Sequence, residues 1–271
     1  MKFRLLLILQ LLFAFNLTKA QIIKLYHESK NNGVVLYANN SALYPVSLRL
    51  NLELANMYFT GGGEEALVVP AKSPKFKIGE ITIARAFIPY SFNYKYVSAM
   101  GDVTITSYDS QFQYDLPFQK GKKFMLHQGY NGAFSHQNEN ALDFTMPEGT
   151  EILAARDGVV VQIEKSNTKS CPQEECGKFN NYIVIMHTDG TFAKYMHIQH
   201  DGALLGLGSP VKKGDVIAYS GNVGWSSGPH LHFVCVLPGF GKANSVETLF
   251  KINEGSKAIV LQPGNFYSRE Y

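Results

Sequence analysis

The chain has 271 residues, 45% of them hydrophobic, with 25 Lys and Arg against 22 Asp and Glu. Lys2, Arg4 and Lys19 account for the whole basic surplus, so the chain beyond residue 20 is formally neutral. Nucleic acid is therefore a poor partner, because no charge excess remains to displace phosphate counterions.

Residues 1–20 set Lys2 and Arg4 before an apolar stretch from Leu5 to Leu17, interrupted by Gln10 and Asn16, and end in Thr18-Lys19-Ala20. This is the pattern of a secretory signal peptide. The stretch is too short to cross a bilayer, which takes about 20 apolar residues, and no later segment approaches that length. No Cys follows the expected cut, so a bacterial lipid anchor is not expected.

Residues 21–115 hold short apolar runs at Gly33–Ala38, Val46–Leu54, Ala66–Pro70, Gly79–Ala84 and Val103–Thr106, parted by Asn, Gly and Pro clusters. Val46, Leu48, Leu50, Leu52 and Leu54 alternate with polar residues and fall on one face of a strand. Strands spaced in this way, without helical patterns between them, predict a small β-sandwich-like domain of unassigned role. His27 stands alone in it and is expected at the surface or at a strand end.

Residues 116–271 also read as β throughout, which makes the chain all-β. Pro147-Glu148-Gly149, Asp157-Gly158 and Lys213-Gly214-Asp215 mark turns before strands. Asp189-Gly190 predicts a hairpin between Ile183–Met186 and Phe192–Tyr195, and Thr248–Ile252 with Ala258–Leu261 predicts a closing one. Cys171 and Cys176 enclose a short loop and are either a disulfide, as an exported protein permits, or two reduced thiols. Cys235 lies three residues beyond His232 and so on the opposite face, as a packing residue.

The chemistry concentrates on a few residues of this second half. In Gly228-Pro229-His230-Leu231-His232-Phe233 the two histidines share one strand face, which is a metal-site geometry. Asp143 sits among apolar neighbours in Ala141-Leu142-Asp143-Phe144, seven residues after His136. In Tyr195-Met196-His197, strand alternation puts Tyr195 and His197 on one face and Met196 on the other. His187 is expected to end a buried strand and satisfy backbone groups, and His127 and His200 to be solvated.

Ser135-His136, Ala141–Phe144, Pro147–Thr150, Ala154–Val160, Tyr182–His187, Tyr195–His197, Val211–Asp215 and Ser220–Asn222 leading into Gly228–Phe233 together resemble the lysostaphin-type, or LytM-like, zinc endopeptidases. The resemblance covers about half the chain. It implies an antiparallel sheet with a groove on one face and one zinc ion held by His136, Asp143 and His232. It also implies that His197 and His230 act on the substrate, and that the substrate is the peptide crosslinks or stem peptides of bacterial peptidoglycan. An exported chain would meet that polymer in the periplasm or outside the cell.

The first motif departs from the family, whose usual ligand position, four residues before the Asp, is here Glu139. Two arrangements are open: Gln137-Asn138-Glu139-Asn140 loops out and His136 is the ligand, which imidazole chemistry favours, or Glu139 coordinates instead. No His-Glu-x-x-His motif occurs, so the histidines must serve as acid and base. The rival reading is a LytM-like domain without catalysis that binds the wall and regulates other hydrolases. A likeness of residues 149–161 and 211–217 to biotinyl and lipoyl carriers fails, because no lysine stands at a hairpin tip in the required setting.

Overall fold

Period-two alternation of apolar and polar residues becomes strand almost everywhere in the structure, a computed structural model that describes residues 22–62 and 66–271. The expected signal peptide lies outside the described residues. Among those residues the fold is nearly all-β, with one short 3-10 helix at Glu174–Phe179.

The N-terminal part forms two facing sheets. The first has four strands in the order Ile23–Lys30, Gly33–Asn40, Ser73–Ile83 and Met57–Gly61; the second has three, with Val46–Ala55 between Leu67–Val69 and Ser91–Met100. Leu36, Ala38 and Ile78 of the first pack against Val46, Leu48 and Val69 of the second. The alternating Val46 run behaves as expected: Val46 and Leu48 are buried, Leu50, Leu52 and Leu54 partly so, and Arg49, Asn51 and Glu53 are exposed. Its long partner, Ser91–Met100, turns Phe92, Tyr94 and Tyr96 to one face and escaped the sequence reading. Val103–Thr106, by contrast, is not a strand. The Asp102 carboxylate accepts hydrogen bonds from the Thr104 amide at 2.9 Å and its hydroxyl at 2.6 Å, closing a turn instead. His27 is exposed in mid-strand, where its Nδ1 lies 3.1 Å from the Tyr94 hydroxyl.

The second part is organised by a nine-stranded sheet. Its main order is Pro210–Val211, Gly158–Glu164, Tyr182–Met186, Phe192–Met196, His230–Leu237, Ala141–Thr145, Lys123–Gln128 and Phe266–Ser268, every pair antiparallel. The Asp189-Gly190 hairpin and the closing hairpin both form as expected. Gln113–Tyr114 pairs with Leu249–Phe250 beside this sheet, and Tyr114 is buried in its core.

The two faces of the large sheet have different fates. Leu142, Phe144, Tyr195, Leu231, Phe233 and Cys235 enter one core with Phe118, Ile217 and Phe250. On the opposite face Val161, Val184, Phe192 and Val236 pack against Leu25, Leu36 and Val46 of the N-terminal sheets. The N-terminal part thus covers only a portion of that face, and the uncovered portion is a groove. Cys171 and Cys176 are joined as a disulfide, and Cys235 is a buried free thiol.

His187 is buried as expected, its Nδ1–H donating to the Asp157 carbonyl at 2.7 Å while Nε2 has no partner. Burial, with the Arg156 cation nearby, pushes its pKa down to about 4. The unfolded chain, with His near 6.5, takes up this proton before the folded one does, so stability is held above pH 6.5 and falls as pH drops toward 4. We expect this group to remove up to about 3 kcal/mol across that window. Urea unfolding from pH 7 to 4 should show a shallower loss in His187→Asn than in wild type; parallel curves would refute the assignment.

Candidate metal centre

Strand register brings the first two groups together. Asp143 is paired directly with His232, Thr145 with His230, and Met196 with His232 from the other side. Because side chains alternate, Asp143 faces the groove while Leu142 and Phe144 enter the core. Cross-strand neighbours stand about 5 Å apart at Cβ, and here the His232 Nδ1 lies 3.0 Å from Asp143 Oδ1.

His136 arrives from the loop before the Asp143 strand. It is wholly buried, with its Nε2 3.1 Å from Asp143 Oδ2 and 3.3 Å from His232 Nδ1. The loop is folded by amide bonds from His136 to the Gly132 carbonyl and from Glu139 to the His136 carbonyl, with Asn138 left-handed at φ 56°. The Asn-rich segment therefore loops out. Glu139 lines the groove, but its carboxylate lies outside the donor group and is 3.8 Å from Lys242 Nζ. His136, Asp143 and His232 form a group that could hold a metal ion, with their ligand atoms within 4.8 Å of one another.

Gln128 ties this loop to the carboxylate, a role the sequence reading missed. Its Oε1 accepts the Phe134 and Ser135 amides at 3.1 and 3.3 Å, and its Nε2 donates to Ser135 Oγ at 2.8 Å and Asp143 Oδ2 at 3.0 Å. A Cβ at position 132 would stand 2.4 Å from Gln128 Cγ, so glycine there gives Gln128 its space.

His197 corrects an expectation. The strand ends at Met196, and His197 is left-handed at φ 63°, a conformation costly for a residue with a Cβ. The alternation breaks there, so Tyr195 and His197 do not share a face. Tyr195 stays in the core, its hydroxyl accepting the Ala155 amide at 2.8 Å, whereas His197 turns into the groove beside Met196. The rings of His197 and His230 are 4.6 Å apart between centroids, and His230 Nε2 is 3.7 Å from Asp143 Oδ1.

Backbone carbonyls orient three of the imidazoles. The Nδ1–H of His136 donates to Gly129 at 3.0 Å, that of His197 to Val223 at 2.9 Å, and that of His230 to Gly228 at 2.8 Å. For His197 and His230 this leaves Nε2 as the lone-pair nitrogen, whereas the Nε2 of His136 points at Asp143 and would give up its proton to a bound metal. Burial, reinforced by the neighbouring His230 and His232, pushes the pKa of His197 down to about 3; burial also lowers that of His230. Both rings are thus neutral near pH 7. For Asp143, burial opposes ionisation, but hydrogen bonds with His136 and His232 outweigh it and hold the carboxyl well below its usual range. His136 is raised: burial lowers it, and the Asp143 carboxylate more than offsets this.

The groove has a volume of about 560 Å³, with Phe134, Asn180, Lys194 and Trp225 on its walls and floor. The disulfide loop supports one wall, since Ser170–Cys171 pairs with Gly224–Trp225 and the Trp225 indole donates to the Pro172 carbonyl at 3.1 Å. His127 is exposed as expected, but it lines the groove; His200 is exposed and 3.3 Å from Asp201.

Comparison with known proteins finds a family match for part of the chain. Residues 137–241 match peptidase family M23, a range that holds Asp143, His197, His230 and His232 and begins one residue after His136. The peptidoglycan DD-endopeptidase ShyA of Vibrio cholerae is 36% identical over 100 residues, covering 37% of this chain and 20% of that protein. ShyC of the same organism, also a peptidoglycan DD-endopeptidase, is 39% identical over 101 residues, covering 37% and 20%. The glycyl-glycine endopeptidase ALE-1 of Staphylococcus capitis is 33% identical over 106 residues, covering 39% and 25%. The chain thus spans about a fifth to a quarter of the length of these curated relatives. Among solved structures, the catalytic domain of lysostaphin from Staphylococcus simulans aligns at 27% identity with a TM-score of 0.33, covering 51% of this chain and 87% of that one. Residues 137–241 thus carry a match to peptidase family M23.

Proposed function

We propose that this chain is an exported zinc metalloendopeptidase that hydrolyses peptide bonds in the crosslinks or stem peptides of bacterial peptidoglycan. The observation that carries the reading is the meeting of His136 Nε2, the Asp143 carboxylate and His232 Nδ1 at 3.0–3.3 Å, in a groove shared with two further neutral imidazoles. The peptidoglycan DD-endopeptidase activity named for ShyA and ShyC points the same way. The chain would work as two units, 21–115 and 116–271, with residues 1–20 as its signal peptide and the periplasm or the exterior as its destination. No helix among the described residues is long and apolar enough to cross a membrane.

The donor set fits zinc. Two imidazoles and one carboxylate are a usual catalytic zinc set, and His136 Nε2 is aimed inward by the Gly129 bond on the other ring nitrogen. Zinc, when bound, supplies Lewis acidity toward a peptide carbonyl and a water molecule. His197 and His230 do the proton work: starting neutral, either takes a proton from the attacking water. The proton so taken, kept on that ring or passed to its neighbour 4.6 Å away between centroids, lets the imidazolium steady the oxyanion and is then delivered to the leaving amine.

Digestion of purified peptidoglycan by the full chain, with mass analysis of the fragments, tests this reading. Cleaved peptides bearing new amino and carboxyl ends are expected, and an undigested polymer in the presence of zinc would refute it. The ligand assignment has its own test. His136→Ala should lose bound zinc and Glu139→Ala should keep it; the reverse pattern would give Glu139 the ligand role.

A further inference from the structure

Lys194 stands on the groove floor. Its strand neighbours are Val184 on one side and Val234 on the other, both in the core shared with the N-terminal sheets. The aliphatic stem is therefore packed among apolar groups while the ammonium reaches the groove. Among the described residues no hydrogen-bond acceptor and no carboxylate within 4 Å engages it. Burial depresses its pKa, opposed by the Glu139 charge, and that carboxylate is itself 3.8 Å from Lys242. A half-buried cation without a counter-ion is unfavourable and attracts an anion.

Its position gives that anion a place relative to the chemistry. Lys194 precedes Met196 by two residues, and Met196 lies opposite His232. Two strand residues span about 7 Å, roughly the rise of two residues of an extended peptide lying in the groove.

We propose that Lys194 is a specificity residue that binds a carboxylate of the substrate, so that the bond cut lies one or two residues from a free carboxylate and not within a bridge of neutral residues. The inference rests on the peptidase reading and narrows its substrate to carboxylate-bearing crosslinks. That carboxylate is either the side-chain acid of a crosslinking residue or the free end of a peptide strand; both offer Lys194 the same charge-assisted hydrogen bond.

Three synthetic peptides built on one D-alanyl crosslink to a diamino acid separate these sources. One keeps only the side-chain carboxylate, one keeps only the terminal carboxylate, and one has both amidated. Affinity and kcat/KM for each are measured with the full chain, Lys194→Met and Lys194→Arg, beside zinc content and melting temperature. Wild type is expected to favour one of the carboxylate peptides over the diamide by roughly 10–100-fold, as a charged hydrogen bond supplies. Lys194→Met should bring that ratio near one while still cleaving the diamide, and Lys194→Arg should retain most of the preference. Equal treatment of all three peptides by wild type, or an unchanged ratio in Lys194→Met, overturns the proposal and leaves the peptidase reading standing if the peptides are cut. Lys194-dependent preference in binding without any cleavage supports the carboxylate site and counts against the peptidase reading.

Discussion

His232→Ala is expected to abolish zinc binding together with peptidoglycan cleavage. His232 supplies one of three donor atoms and is held opposite Asp143 by direct strand pairing, so no neighbouring imidazole can slide into its place without breaking register. His230, two residues away on the same face, has its Nδ1 committed to the Gly228 carbonyl, and its Nε2 is 3.7 Å from Asp143. The loss should exceed the roughly 10–100-fold in metal affinity that removal of an outer hydrogen-bond partner typically costs. Metal analysis after dialysis decides the matter. One equivalent of zinc retained by His232→Ala would mean the ligands are elsewhere.

His197→Ala and His230→Ala should behave in the opposite way, keeping zinc near the wild-type stoichiometry while turnover falls roughly 10²–10⁴-fold, the usual worth of a positioned acid or base. Both rings face the groove with Nε2 unprotonated, and both are kept neutral chiefly by burial. Neither is among the three atoms that come together to hold a metal. Paired measurements of zinc content and kcat on each variant test the division. Loss of metal in His230→Ala alone would show that the two histidines of the Gly228–Phe233 segment have exchanged roles.

Most of the sheet was legible because period-two patterning carries the information for a strand with one buried face. The Val46–Leu54 run, the Asp189-Gly190 hairpin and the His230/His232 pair are cases in which local pattern and final structure agree. The strand Ser91–Met100 was missed because its inward positions are aromatic and only half-buried, and Val103–Thr106 was overread because a single side chain, Asp102, closes a turn against β propensity. At the site, the Asn-rich run between His136 and Asp143 announced its loop, and Asn138 adopts the left-handed conformation that asparagine tolerates. The left-handed turn at His197 carried no such signal, since histidine has no general preference for it strong enough to read. Gln128 was invisible for a different reason. It binds Ser135 and Asp143 from another strand, and nothing in a glutamine's immediate sequence reports a contact made through tertiary packing.

A zinc anomalous difference map from crystals of the full chain tests the central assignment most directly. One peak is expected, about 2.0–2.2 Å from His136 Nε2, an Asp143 carboxylate oxygen and His232 Nδ1, with an open position facing His197 and His230. A peak that uses Glu139 or His230 as a ligand, or no peak between His136, Asp143 and His232, would contradict it.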